Sequence, residues 1–84
     1  MTFYMYIIYS KKLDKYYIGY CEDISIRVNK HNFGSTASTK PGIPWRLAYY
    51  EQFSTKTDAI RRELEIKKKK SRKYIEYLIS NFGG

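Results

Sequence analysis

The chain is short of the residues that staple, interrupt or anchor a fold. It has a single cysteine, Cys21, which excludes an internal disulfide and any zinc site built on several thiolates, and fits a reducing cytosol. Its only prolines, Pro41 and Pro44, both fall within residues 34–44, so the rest of the chain is free to form regular structure. No apolar run approaches the roughly 18–20 residues of a spanning helix, which argues against a membrane partner. No basic stretch precedes the apolar residues 4–9, so the start does not read as a signal peptide and a cytoplasmic location is expected. Acidic residues are scarce: eight Asp and Glu stand against 16 Lys and Arg, a formal charge of +8. A field of that sign attracts polyanions, nucleic acid first among them.

Tyrosine is abundant instead, with ten against four phenylalanines. A tyrosine buries a large ring while keeping a polar tip, which suits a thin sheet with one wet face. At 84 residues the chain supports one small core, so residues 1–84 are expected to form a single domain.

Residues 3–10 are aromatic and β-branched, as a strand requires, and residues 16–20 (Tyr-Tyr-Ile-Gly-Tyr) form a second strand after a polar turn. Gly19 inside that strand marks a bulge or a close approach by another group. Asp23 caps a helix over about 24–33, closed by Gly34. Residues 34–44 form a loop in which small hydroxyl residues and two prolines oppose regular structure. Residues 45–53 give a third strand, and Ser54 or Thr55 caps a long helix reaching about Lys69. Ser71 caps a third helix, on which Ile75, Leu78, Ile79 and Phe82 form an apolar face, and Gly83-Gly84 follow it. The order β-β-α-β-α-α predicts an α+β fold, a three-stranded antiparallel sheet flanked by helices.

The groups with chemistry cluster at the margins of two helices. On the first, Ile24 and Val28 define the inward stripe, with Arg27 roughly 60° and His31 roughly 20° to one side. Arg27 and His31 are i and i+4, hence neighbours. On the second, Ile60 and Leu64 are expected inward, with Glu63 roughly 60° aside. Glu63 is either an i,i+4 partner of Lys67 or a carboxylate at a site. Phosphodiester cleavage builds negative charge on the phosphate oxygens, so it needs a cation against the phosphate and a group that moves the nucleophile's proton. It also needs a metal, and Glu63 can supply a ligand for Mg²⁺. Arg27 can brace the phosphate. Tyr6, Tyr17 or His31 can take the proton, a tyrosine only with help from a neighbouring charge.

Taken together, Tyr4-x-Tyr6, Tyr17-Ile18-Gly19, Arg27-x-x-x-His31-Asn32-x-Gly34, Thr39 before Pro44-Trp45, and Ala59-x-x-x-Glu63 resemble the GIY-YIG nuclease superfamily over about residues 4–79. The likeness is to its small stand-alone branch and to the N-terminal nuclease of the excision-repair protein UvrC. Tyr4 stands where the first motif has glycine, so that half-motif keeps only its last tyrosine, Tyr6. The resemblance implies that Tyr6 and Tyr17 line the site, that Arg27 contacts the scissile phosphate, and that Glu63 binds one divalent ion, Mg²⁺ or Mn²⁺. It implies that His31 assists and that Gly19 lets the strand pass close to the site. Lys40, Arg46 and Lys67, Lys68, Lys69 and Lys70 are expected to add phosphate contacts, which give affinity without sequence information. DNA is the expected partner, with RNA an alternative, and a homodimer or protein partner could supply targeting. The rival reading is a nucleic-acid-binding module that keeps the fold and does not cut.

Overall fold

The computed structural model describes residues 1–82, so Gly83 and Gly84 lie outside the described residues. Three strands, β1 (Phe3–Ser10), β2 (Lys15–Cys21) and β3 (Trp45–Phe53), pair antiparallel in the order β2-β1-β3. Helix α1 (Ile24–Asn32) links β2 to the loop, and α2 (Lys56–Lys69) and α3 (Arg72–Ser80) follow β3. The α+β order β-β-α-β-α-α read from the sequence is the order observed.

Each helix begins where a short polar side chain can satisfy an otherwise unpaired backbone N–H. Asp23 accepts from the Ile26 amide, Thr55 from Asp58, and Ser71 from Tyr74. The loop is less irregular than its prolines suggested. Residues Lys40–Gly42 make one turn of 3₁₀ helix, with Pro41 near its start where a missing N–H costs nothing.

The expectation of a wet face is overturned, because helices cover both faces of the sheet. Met5 and Ile7 of the central strand point to one side, joining Ile18, Tyr49 and Ile66, and Ile75, Leu78, Ile79 and Phe82 of the α3 segment pack over them. Tyr6 and Ile8 point to the other, joining Cys21 and Trp45 beneath Ile24 and Val28 of α1. A strand buried on both faces needs a continuous apolar run, which is why residues 5–8 carry no polar alternation. In β3 a register irregularity opposite Ile7 and Ile8 pairs Tyr49 with Ile7 and Leu47 with Ile8. The extra residue between them, Ala48, turns Tyr49 toward α3 while Leu47 stays under α1.

Helix α2 is rotated from its expected setting. Ala59, Glu63 and Ile66 face inward, whereas Leu64 is exposed and Ile60 only partly buried. This setting puts Ile66 into the Met5–Ile7–Tyr49 cluster and Arg62 onto Glu51 of β3, which the Ile60–Leu64 setting would forgo. Arg62 donates to Glu51 at 2.8 and 3.1 Å and to the Tyr74 hydroxyl at 3.2 Å, tying β3, α2 and α3 together. Removing it strands a half-buried carboxylate. Arg62→Met is therefore expected to cost about 2 kcal/mol of stability, read from chemical denaturation.

Candidate functional site

The site begins with a missing side chain. Tyr6 and Gly19 face each other across the hairpin, and a Cβ on Gly19 would lie 2.6 Å from the Tyr6 hydroxyl. The Tyr6 ring occupies that space, and its hydroxyl reaches His31 Nε2 at 2.9 Å. On its other side the imidazole meets the Thr39 hydroxyl, Nδ1 to Oγ1, at 2.8 Å, and Thr39 Oγ1 donates to the Thr36 carbonyl at 3.3 Å. Tyr6, His31 and Thr39 are 1, 2 and 1 % exposed, so every proton in the chain needs a protein acceptor. One arrangement satisfies all of them: Tyr6 O–H donates to Nε2, Nδ1–H donates to Thr39, and Thr39 donates to Thr36. The opposite tautomer would leave the Tyr6 proton with no acceptor.

Burial acts on both groups in the direction of neutrality. It pushes the Tyr6 hydroxyl far above the usual tyrosine range, with the Arg27 guanidinium opposing. It lowers the His31 pKa, and the Arg27 charge lowers it further. Tyr6 thus holds its proton at neutral pH and His31 stays uncharged.

Tyr17 shares this face. Its ring stands edge-on to His31, with centroids 5.1 Å apart, and is only partly buried. Arg27, one turn before His31 on α1, lies within charge range of Tyr6, His31 and Cys21 and lines an adjoining hollow with Glu22 and Lys30. Asn32, the last residue of α1, grips the start of β3: its side chain donates to the Trp45 carbonyl at 2.9 Å and accepts from the Trp45 amide at 2.6 Å. The indole of Trp45 is buried and donates to the Thr39 carbonyl at 2.6 Å, which fixes it as a core residue.

Glu63 approaches from α2, which runs beside edge strand β2. Lys56 near the start of α2 lies over the Tyr20 ring at 5.9 Å, and Lys67 near its end lies over the Tyr17 ring at 6.0 Å. Glu63, between them, is therefore beside the middle of β2. The Lys67 ion pair does form, at 2.6 Å, but it uses only Oε2, and Oε1 is buried without a hydrogen-bond partner. An orphaned carboxylate oxygen is costly unless something positive meets it. Among the described residues no three His, Cys, Asp or Glu gather as a metal cluster. One carboxylate with an unmatched oxygen fits the needs of a Mg²⁺-like ion, which takes one or two carboxylates and fills the rest of its shell with water or other oxygen ligands.

The expected phosphate-binding cations scatter. Lys40 packs against Gly34, which has φ +80. Arg46 pairs with Tyr9 in the sheet and sits 5.2 Å over its ring, on the face opposite Tyr6. Lys69 lies over Tyr74 at 4.7 Å, Lys68 is exposed, and Lys67 and Lys70 border a cleft beside β2. Asn32 and Thr39 are among the positions matching the family pattern, but sequence alone assigns neither a physical role. The available signal was the need of a buried imidazole for a second partner, with a hydroxyl-rich loop eight residues on.

The family model described as GIY-YIG catalytic domain matches residues 2–75. The chain belongs to the GIY-YIG family. It is 46% identical over 65 residues to a UPF0213 protein of Staphylococcus saprophyticus, covering 76% of this chain and 78% of that one. A UPF0213 protein of Staphylococcus aureus is 48% identical over 52 residues, covering 61% of this chain and 63% of the relative. The solution NMR structure of a UPF0213 protein from Bacillus halodurans superposes with a TM-score of 0.61 at 38% identity, covering 100% of this chain and 88% of that one. The GIY-YIG domain places the chain in a nuclease superfamily, and among the described residues no helix is long and apolar enough to cross a membrane.

Two outcomes follow from this geometry. Gly19→Ala must displace the Tyr6 hydroxyl, at a cost of about 1–3 kcal/mol in thermal or chemical unfolding. Folded His31 has a pKa below its ordinary 6.5, so just below that pH the unfolded chain binds more protons and stability falls as pH drops. His31→Gln should flatten that slope, measured as unfolding free energy between about pH 7 and 5.

Proposed function

We propose that this protein is a metal-dependent DNA endonuclease of low sequence specificity that selects branched, flapped or ended substrates in a repair- or recombination-type role. The observation that carries the reading is the orphaned Glu63 Oε1 beside a hairpin whose inner tyrosine is locked in a buried, neutral hydrogen-bond chain.

Burial divides the labour among the candidate bases. Tyr6 and His31 are sealed, proton-satisfied and uncharged, which suits positioning. They hold α1 against the hairpin and so fix Arg27, one turn from His31. Tyr17 is the partly exposed group of the three, with the Lys67 ammonium beside its ring. Once its own O–H proton has passed to solvent, with the Lys67 ammonium beside the phenolate, its oxygen can accept a proton from the attacking water. Arg27 clamps a non-bridging phosphate oxygen, where its planar fork suits the geometry. Glu63 would hold Mg²⁺ or Mn²⁺, which when bound supplies Lewis-acid stabilisation of the charge on the scissile phosphate. The absence of a recognition module in the matched region supports structure-selective cutting, or targeting by a homodimer or protein partner.

The +8 charge equally supports a module that binds nucleic acid without cutting. Incubation with branched and plasmid DNA in Mg²⁺ or Mn²⁺ separates the two. Cleavage is expected, reduced about 100-fold or more by Glu63→Gln, Arg27→Ala or Tyr17→Phe, with salt-sensitive binding retained by Glu63→Gln. Equal cutting by Glu63→Gln and the parent would refute the nuclease reading.

A further inference from the structure

A cleft of about 340 Å³ lies on the far side of β2 from His31, between that edge strand and the corner where α2 meets α3. Its floor is aliphatic, from Ile18, Ile66 and Ile75, and its rim is cationic, from Lys15, Lys67 and Lys70. No Asp or Glu lines it. We propose that this cleft binds one unpaired nucleotide of a single strand, the base against the aliphatic floor and its phosphates on the lysine rim. The assignment rests on the nuclease reading only in making that strand part of the substrate.

The chemistry of the walls selects this occupant. A flat apolar body with an attached anion matches an aliphatic floor, flanked by Tyr16 and Ser71, and a rim without carboxylates. The volume suits a small-ligand site, while a stacked duplex could not enter it. Lys15 and Lys70 make no ion pair among the described residues, so both are free for phosphate. Arg72 is committed to the architecture instead. It pairs with Asp14 at 2.6 Å, donates to the Asp14 carbonyl at 2.8 Å and covers the Tyr16 ring at 5.1 Å, fastening the β1–β2 turn to α3 as one wall.

The backbone adds an independent observation. The only non-glycine residues with positive φ among those described are Asp14 (φ 52) and Lys70 (φ 48); Lys70 lines this cleft, and Asp14 directly precedes Lys15, which lines it too. Asp tolerates that conformation and is held there by Arg72. Lys70 closes α2 in the left-handed region, where glycine is the usual choice. Its side chain, which the helix cap does not need, lines the cleft. Lys67 belongs to both places, lining the cleft while pairing with Glu63, so a strand seated in the cleft would lead past the proposed cutting site.

Lys70→Gly separates binding from folding, because glycine is at ease at this φ and should leave the melting temperature unchanged or raised. Fluorescence anisotropy in EDTA compares a labelled oligothymidylate of roughly 12 nucleotides, the same oligomer with abasic sites, and a blunt duplex of equal length. The parent should bind the oligothymidylate more tightly than the abasic strand. The Lys15→Ala/Lys70→Gly variant should lose about tenfold for the oligothymidylate and under about twofold for the duplex. Equal losses on single strand and duplex, abasic binding as tight as the parent oligomer's, or tighter binding to phosphatidylglycerol vesicles than to oligothymidylate would each overturn the cleft assignment. Because no metal is present, these outcomes are independent of cleavage, whose loss or survival in Glu63→Gln judges the nuclease reading separately.

Discussion

The Tyr6–His31 hydrogen bond is the contact on which the arrangement of the site depends. It spans 25 residues of sequence and joins the central strand to α1 inside a sealed layer. Because the groups on both sides are neutral, it carries no Coulombic desolvation debt, and its strength comes from complete satisfaction of buried donors and acceptors. Gly19 makes room for the Tyr6 ring, Thr39 fixes the other imidazole nitrogen, and Asn32 ties the end of the same helix to β3. Each of these would be an unremarkable residue alone. Together they determine where α1 sits, and with it the Arg27 guanidinium.

Charge is handled in the opposite way on the α2 side. There the groups are ionised, and position is set by pairing: Arg62 with Glu51, Lys67 with Glu63, Arg72 with Asp14. The exposed pairs contribute little to stability, so their main effect is geometric. The Glu63 pair is the informative one. A carboxylate satisfied at both oxygens would be a structural ion pair and nothing more; Glu63 leaves one oxygen buried and unmatched.

Much of the fold was legible in the sequence because local signals agreed with the tertiary structure. Asp23, Thr55 and Ser71 cap the helices where short polar residues precede apolar periodicity, and the Ile75–Phe82 face packs where its spacing indicates. The failures have a common cause in long-range packing. The rotation of α2 was hidden because a lysine- and arginine-rich helix offers two apolar rows of similar weight, and only the contact of Ile66 with β1 and of Arg62 with β3 decides between them. The dry second face was hidden because tyrosine serves an exposed and a covered sheet equally well. Tyr6, Tyr17, Gly19, Arg27, His31 and Glu63 could be picked out as candidates from residue type, spacing and the family resemblance. Their division into sealed and accessible groups could not, since burial is a property of the assembled layers. The role of Thr39, though the residue was part of the matching pattern, was obscured for the same reason: a hydroxyl in a Ser/Thr-rich loop acquires a function only once an imidazole is placed against it.

The chain has one histidine, so its imidazole can be observed without ambiguity. The most direct test of the account is the ¹⁵N chemical-shift pattern of His31 in the folded protein at neutral pH. The buried chain predicts a neutral ring protonated on Nδ1, with Nε2 bare and accepting from Tyr6. A ring protonated on Nε2, or an imidazolium, would contradict it.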